Sequence, residues 1–198
     1  HLADLRDEGK IRHLALTNFD TERLRVIAEH GIGVVSNQVQ YSLVDRRPEA
    51  RMAAFCREHG MTLLAYGTLL GGLLSEKYLG RPEPPRAALA TASLQKYKRM
   101  VDAWGGWALF QQLLAVLKQI ADKHRVSIAN VGVRYILDRP AVAGVIVGAR
   151  LGAAQHIADN ARVFGFALDA EDHAGIEAVL AKSRDLIKLI GDCGDEYR

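Results

Sequence analysis

Hydrophobic residues recur along this chain in two alternating patterns, short apolar runs and longer stretches with helical spacing. Leu14-Ala15-Leu16 is a short run that ends in the polar pair Thr17-Asn18. Val34-Val35 opens a second, continuing through Asn37, Gln38, Val39 and Gln40 to Tyr41. Met61 to Tyr66 forms a third, and Val142 to Val147 a fourth that enters Gly148-Ala149-Arg150. Such runs, without strict alternation, are expected of strands buried on both faces.

Helical spacing fills the gaps. His1 to Lys10 places Leu2 and Leu5 on one face, with Gly9 as a stop. Asp20 caps a helix carrying Leu24, Ile27 and Ala28, ended at Gly31. A helix around Pro48 to His59 turns Met52, Phe55 and Cys56 inward, with Gly60 after it. Phe110, Leu113, Leu114, Leu117 and Ile120 share a face. Ser127 caps a helix with Ile128, Val131, Tyr135 and Ile136, closed at Asp138-Arg139-Pro140, and Asp169 starts a final helix burying Ile176, Val179 and Leu180.

Strand followed by helix, with short connections, predicts a parallel sheet of βαβ units. Residues 71 to 90 break the rhythm with Gly71-Gly72 and the run from Gly80 to Pro85, a loop long enough to be a lid or binding segment. Four strands in this order make half of an eight-stranded β/α barrel, or part of an open doubly wound sheet. No G-x-G-x-x-G follows any strand, so the barrel is favoured. The expected fold class is therefore α/β, the second half of a (β/α)8 TIM barrel with an extra loop and helix insertion.

Composition narrows the function. Of 198 residues, 49% are hydrophobic and 25% charged, enough apolar material for a real core. The net charge of +3 is small, and its Lys and Arg residues form no stripe interleaved with aromatics, which argues against nucleic acid. Cys56 and Cys193 lie far apart in no C-x-x-C arrangement, so neither a disulfide framework nor a zinc site is expected, as fits a reducing, cytoplasmic compartment. The histidines lack metal-ligand spacing. No apolar run reaches the roughly 18 residues of a transmembrane helix, so no membrane is expected. His1 to Lys10 reads as a helix in progress without an initiator Met or signal peptide, as if the chain starts inside a larger structure.

Functional groups of a β/α barrel sit at the C-terminal strand ends. Those ends here carry Thr17-Asn18, then Gln38, Gln40 and Tyr41, then Tyr66, then Gly148-Ala149-Arg150. Amides suit a carboxamide, an aromatic suits a planar ring, and Arg beside backbone N–H groups suits a phosphate. The set describes a pyridine dinucleotide better than a metal or a sugar.

GKIRHLALTNF, NQVQYSLVDR, LLAYGTLLGGLLSEKY, and VIVGAR followed by HIADNARVFGFALDAED resemble, in order and across essentially the whole chain, the motifs of the aldo-keto reductases. The resemblance implies that residues 1–198 are the C-terminal half of one barrel domain, from its fifth strand onward. It implies NADP(H) as cofactor. Thr17, Asn18 and Gln38 would hold the nicotinamide carboxamide, and Tyr66 would stack on the ring. Gly67, Thr68, Leu69, Gly71 and Leu73, in the loop from Gly67 to Leu74, would pass over the pyrophosphate with backbone N–H groups facing it. Gly148, Ala149 and Arg150 would reach the 2′-phosphate, with His156 as an alternative to Arg150. Asp159 and Asn160 would contact adenine. Residues 75–107 would shape the pocket for a small carbonyl substrate; Trp104 and Trp107 fit either substrate contact or helix packing.

The chain departs from the family pattern at several points. Thr17 stands where Ser is usual, Gly67-Thr68 replaces Ser-Pro, and the stretch from Arg150 to Asn160 is longer than common. The family's catalytic Asp, Tyr, Lys and His come from the first four strands, which lie upstream of residue 1. His1 does not stand in for the catalytic His. No catalytic residue is therefore expected here. The full enzyme would be an NADPH-dependent oxidoreductase interconverting a carbonyl and an alcohol, with the N-terminal half supplied upstream or by another chain. The rival expectation is a non-catalytic NADP(H)-binding or interaction module that pairs with another half barrel, since open strand edges invite pairing.

Overall fold

Strands β1 (Ala15–Thr17), β2 (Ser36–Gln40), β3 (Thr62–Tyr66) and β4 (Val142–Val145) pair side by side in that order, every pair parallel. The fold is α/β, and the computed structural model describes residues 1–148 and 156–195. Thr17 pairs with Gln38, Gln38 with Leu64, and Leu64 with Gly144, so these four share one face of the sheet. An irregularity between Leu63 and Leu64 shifts the last pairing.

The helices are α1 (Leu2–Asp7), α2 (Thr21–Glu29), α3 (Met52–Glu58), α4 (Ala92–Trp104), α5 (Gly106–His124), α6 (Ile128–Leu137), α7 (Ile157–Ala161), α8 (Ala170–Leu180) and α9 (Leu186–Ile190). The predicted caps stand at the starts of α2, α6 and α8. The Asp20 carboxylate accepts from the Arg23 N–H at 2.8 Å, and the Ser127 hydroxyl accepts from that of Asn130 at 3.2 Å. Asp169 and Asp172 form a reciprocal capping box.

Two apolar clusters hold helices to sheet. The larger gathers Trp104, Phe110, Leu113, Leu117, Tyr135 and Ile176 around Ala65, and the smaller gathers Leu24, Val39, Met52, Phe55 and Leu63. Each buried Leu or Phe contributes roughly 1.5–3 kcal/mol over its exposed state. Both clusters lie on the face to which Val39, Leu63 and Ala65 point, and all three are fully buried. The alternate face differs: Gln38, Leu64 and Tyr66 are half-buried and Thr17 is exposed.

Several boundaries differ from expectation. Helix α1 buries none of its residues, and Leu2 is 60% exposed, so its apolar pair is not a core stripe. Strand β2 starts at Ser36, although the Val35 backbone already bonds Leu14 and Thr62. The helix expected from Pro48 divides into a 3-10 turn, Arg47–Glu49, and α3. The start of that turn is pinned because Asp45 and Arg47 form a fully buried ion pair at 2.8 Å. The helix begun at Asp169 is not the final one, since α9 follows it.

Beyond α9 the chain returns to the N-terminal ends of earlier helices. The Thr21 N–H, at the start of α2, donates to the Asp192 carboxylate at 3.0 Å, and the Arg47 guanidinium donates to the Asp192 carbonyl at 3.0 Å. Among the described residues, no helix is long and apolar enough to cross a membrane.

Candidate functional site

The C-terminal ends of β1, β2 and β3 bring the first group of expected residues together. Asn18 follows β1 with φ 58°, a left-handed conformation that Asn tolerates better than most side chains. That turn lets its N–H donate to the Gln38 carbonyl at 2.9 Å. Its side-chain oxygen accepts from the Tyr66 hydroxyl at 2.8 Å. Thr17 and Gln38, paired in register, complete a patch of hydroxyl, amide and phenol on the half-covered face.

Gln40 and Tyr41, at the end of the same strand, are engaged elsewhere. Gln40 donates to the Asp45 carboxylate at 2.8 Å, and Tyr41, fully buried, donates to Glu49 at 2.9 Å. Burial, with Glu49 beside it, raises the Tyr41 phenol far above its ordinary value, so it remains a donor.

After β3 the chain turns at Gly67, whose φ of 69° favours glycine. A Cβ there would also lie 2.4 Å from the Tyr97 hydroxyl, so α4 packs directly on this turn. Gly71, with φ 66°, is approached likewise by Ser93 and Tyr97. The Thr68 hydroxyl is buried and donates to the Tyr41 carbonyl at 2.8 Å, and Leu73 lies wholly in the core. Only their backbones are left for a ligand. Within the turn, the N–H groups of Leu70, Gly72, Leu73 and Leu74 bond carbonyls of Gly67, Leu69 and Leu70, which leaves those of Thr68, Leu69 and Gly71 outside that set.

A second group forms around the N-terminus of α6. The Ser127 hydroxyl donates to the Asp159 carboxylate at 2.8 Å, and the Asn130 amide donates to the Asp159 carbonyl at 3.0 Å. Glu76, from the insertion, accepts from the Ile128 N–H at 2.7 Å. Asn160 lines a cleft of about 420 Å³ with Val145, Val147, Ile157 and Phe164. His156 is exposed at the start of α7, and Gly148 is exposed just past β4. Ala149 and Arg150 lie outside the described residues. None of the contacts above joins this second group to the first.

Sequence reasoning did not single out Asn37 or the face of α4. The buried Asn37 amide donates to the Phe19 carbonyl at 2.9 Å and fixes the turn after Asn18. Ser93, Lys96 and Tyr97 fall at i, i+3 and i+4, the spacing that puts them on one helix face, and this spacing was the available signal. Trp104 and Trp107 are buried; the Trp107 indole donates to the Arg81 carbonyl at 2.9 Å, tying the insertion to α5. Packing accounts for both. No group of His, Cys, Asp or Glu among the described residues is arranged to hold a metal.

The family model described as "Aldo/keto reductase family" matches residues 1–181. The chain belongs to the aldo/keto reductase family. It is 39% identical over 132 residues to "Flagellar radial spoke protein 5" of Chlamydomonas reinhardtii, covering 65% of this chain and 25% of that protein. It is 27% identical over 188 residues to "Aldo-keto reductase YhdN" of Bacillus subtilis, covering 90% and 52%. Among solved structures, the glycerol dehydrogenase AKR11B4 from Gluconobacter oxydans superposes with a TM-score of 0.71 at 25% identity, covering 91% and 52%. An aldo-keto reductase from Klebsiella pneumoniae, solved in complex with NADPH, shares the fold with a TM-score of 0.63 at 19% identity, covering 90% and 51%. The chain thus spans about half the length of these reductases and a quarter of the flagellar protein.

Proposed function

We propose that this aldo/keto reductase chain is the second half of a (β/α)8 barrel and forms the NADP(H)-binding part of an oxidoreductase that interconverts a carbonyl and an alcohol. The observation that carries this reading is the convergence of Asn18, Gln38 and Tyr66 on the one sheet face that the helices leave half-covered. That face is the interior of the barrel, and β1 and β4 are the edges to which the N-terminal half pairs, whether it lies upstream or on another chain. Residues 75–107 form the insertion that shapes the substrate pocket.

The donor set fits a nicotinamide. Asn18 and Gln38 hold the carboxamide, with Thr17 adding a hydroxyl, and Tyr66 presents a flat face whose hydroxyl Asn18 fixes. Bound there, NADPH supplies a hydride to the carbonyl carbon of an aldehyde or ketone. This chain orients that ring and keeps one of its faces against protein. The proton donor, a Tyr, comes from the N-terminal half with its Asp, Lys and His, so residues 1–198 by themselves are inactive. Backbone groups of Thr68, Leu69 and Gly71 face the pyrophosphate. Arg150 or His156 reaches the 2′-phosphate, and Asn160, beside the Asp159 that Ser127 anchors, meets adenine. The protein works in a reducing compartment such as the cytoplasm, where Cys56 and Cys193 persist as thiols.

The test uses the full-length protein that carries this chain. NADPH consumption is followed over a panel of aldehydes and ketones, alongside NADPH titration of the wild type and of Tyr66→Ala. Turnover with at least one carbonyl, and weakened binding in the variant, are expected. Failure to bind or oxidise NADPH with any of them overturns the reading. A second reading is favoured by the 39% identity to a flagellar radial spoke protein: a nucleotide-binding or interaction module without turnover. NADPH binding with no consumption across the panel is its signature.

A further inference from the structure

Helix α4 presents two different faces. Ser93 and Tyr97 meet the turn after β3 at Gly71 and Gly67. Gln95, Lys98, Arg99 and Asp102 recur at i, i+3, i+4 and i+7, the spacing of a single stripe. At 3.6 residues per turn, that stripe lies on the side of the helix away from the glycines. Together with residues 83–89 of the insertion it borders a cleft of about 430 Å³, a size that suits a small molecule. The cleft is fixed at several points. The Lys98 ammonium donates to the Glu83 and Asp102 carboxylates at 2.5 and 2.6 Å, and the Gln95 amide donates to the carbonyl of buried Leu89 at 3.1 Å. Pro84 and Pro85 stiffen the facing wall. Two carboxylates thus engage the Lys98 charge. Arg86 and Arg99 also line the cleft, and both are exposed. Neither side chain has a hydrogen-bond, ion-pair or ring partner among the described residues.

We propose that this cleft is a second binding site, for a small molecule with an oxyanion head and an apolar body. Arg86 and Arg99 take the head, because a planar guanidinium offers paired N–H donors that match the oxygens of a carboxylate or phosphate. Pro84, Pro85 and Leu89 give the body an apolar wall. Glu83 and Asp102 disfavour an anion beside them, and Lys98, bonded to both, offsets that repulsion and confines the head to the arginines. A cationic ligand would have to displace Lys98 from both carboxylates. The site does not depend on the nucleotide-binding reading, since α4, roughly 10 Å across, separates it from the Gly67 turn.

The experiment titrates the full-length protein calorimetrically with phenyl phosphate, benzoate and the neutral benzyl alcohol. The proteins compared are the wild type, Arg86→Gln, Arg99→Gln, the double variant and Tyr66→Ala. Wild type is expected to bind at least one anion more tightly than benzyl alcohol, and the tighter anion identifies the head group. Each arginine variant should weaken that anion by about three- to fivefold, and the double variant by more. Tyr66→Ala should leave its affinity unchanged. Urea midpoints of the arginine variants should match the wild type, because neither side chain has a partner to lose. Any of four results overturns the inference: no binding of either anion, affinity unchanged in the double variant, equal affinity for benzyl alcohol, or binding lost in Tyr66→Ala. The last would place the probe at the nucleotide site and leave that reading standing.

Discussion

The Tyr66 hydroxyl donates to the Asn18 side-chain oxygen at 2.8 Å, although their strands are not neighbours. Strand β2 lies between them, and strands two apart sit about 10 Å from each other in a sheet. The bond therefore arches over Gln38 and draws the ends of β1 and β3 together. It fixes the plane of the phenol, which is what a stacking platform requires.

Substitutions at Tyr66 separate the ring from its hydroxyl. Tyr66→Phe removes a half-buried hydrogen bond and is expected to lower unfolding free energy by about 1 kcal/mol. NADPH affinity should change by no more than about threefold, because the ring remains. Tyr66→Ala removes the platform, and affinity should fall by about tenfold or more. Chemical denaturation and NADPH titration together check the pair; equal binding losses in both variants would refute the platform role.

Gly67 is set by two constraints that a glycine series can separate. Gly9→Ala meets φ of 72° with nothing within 4 Å, and should cost only about 1 kcal/mol for the left-handed backbone. Gly67→Ala meets φ of 69° and the Tyr97 hydroxyl at 2.4 Å. It should cost about 2–4 kcal/mol, conformation and overpacking combined. Tyr97→Phe in that background should recover part of the loss. Urea midpoints at constant m-value report the three changes.

Asp45 and Arg47 form an ion pair with almost no solvent contact, and Gln40 donates to the same carboxylate. Asp45→Asn or Arg47→Met removes one member of the buried pair and is expected to destabilise by about 3–5 kcal/mol. The double variant should lose much less than the sum of the two. Additive losses in that cycle would mean the pair does not act as a unit.

Acid sensitivity should arise at the start of α8. The Lys123 ammonium, hydrogen-bonded at 2.6 Å, and the Asp172 backbone N–H hold the Asp169 carboxyl down at about 2, against an ordinary value of 3.8. Between those values the unfolded chain binds a proton that the folded protein does not. Stability from this group is therefore complete above about pH 4 and lost as pH falls through 2. Denaturation at stepped pH should show this slope in the wild type and a flatter one in Asp169→Asn.

The sheet and most helices were legible in the sequence because their signals are local. Leu63 and Ala65 sit in apolar runs, and Asp20, Ser127 and Asp169 stand where caps belong. The meeting of Asn18, Gln38 and Tyr66 followed from placing them at strand ends, together with the family resemblance. Gln40 and Tyr41 sit at an equivalent end, yet Asp45 and Glu49 draw them away, and only the folded chain reveals those partners. Leu2 and Leu5 have helical spacing but no core to meet. Leu186–Ile190 is too short for any periodicity to register.

The Thr21–Asp192 bond joins residues 171 positions apart, and the Arg47 contact to the same segment spans 145. Contacts so remote form only after most of the intervening chain has been ordered, because closing a long loop costs entropy before any reward arrives. A ribosome delivers Arg47 long before residue 192. Until then the guanidinium lacks its Asp192 carbonyl acceptor, and the Thr21 N–H at the start of α2 lacks the Asp192 carboxylate. Vectorial synthesis therefore leaves this corner unfinished for most of the chain's emergence, and its completion reports that the distant segment has arrived.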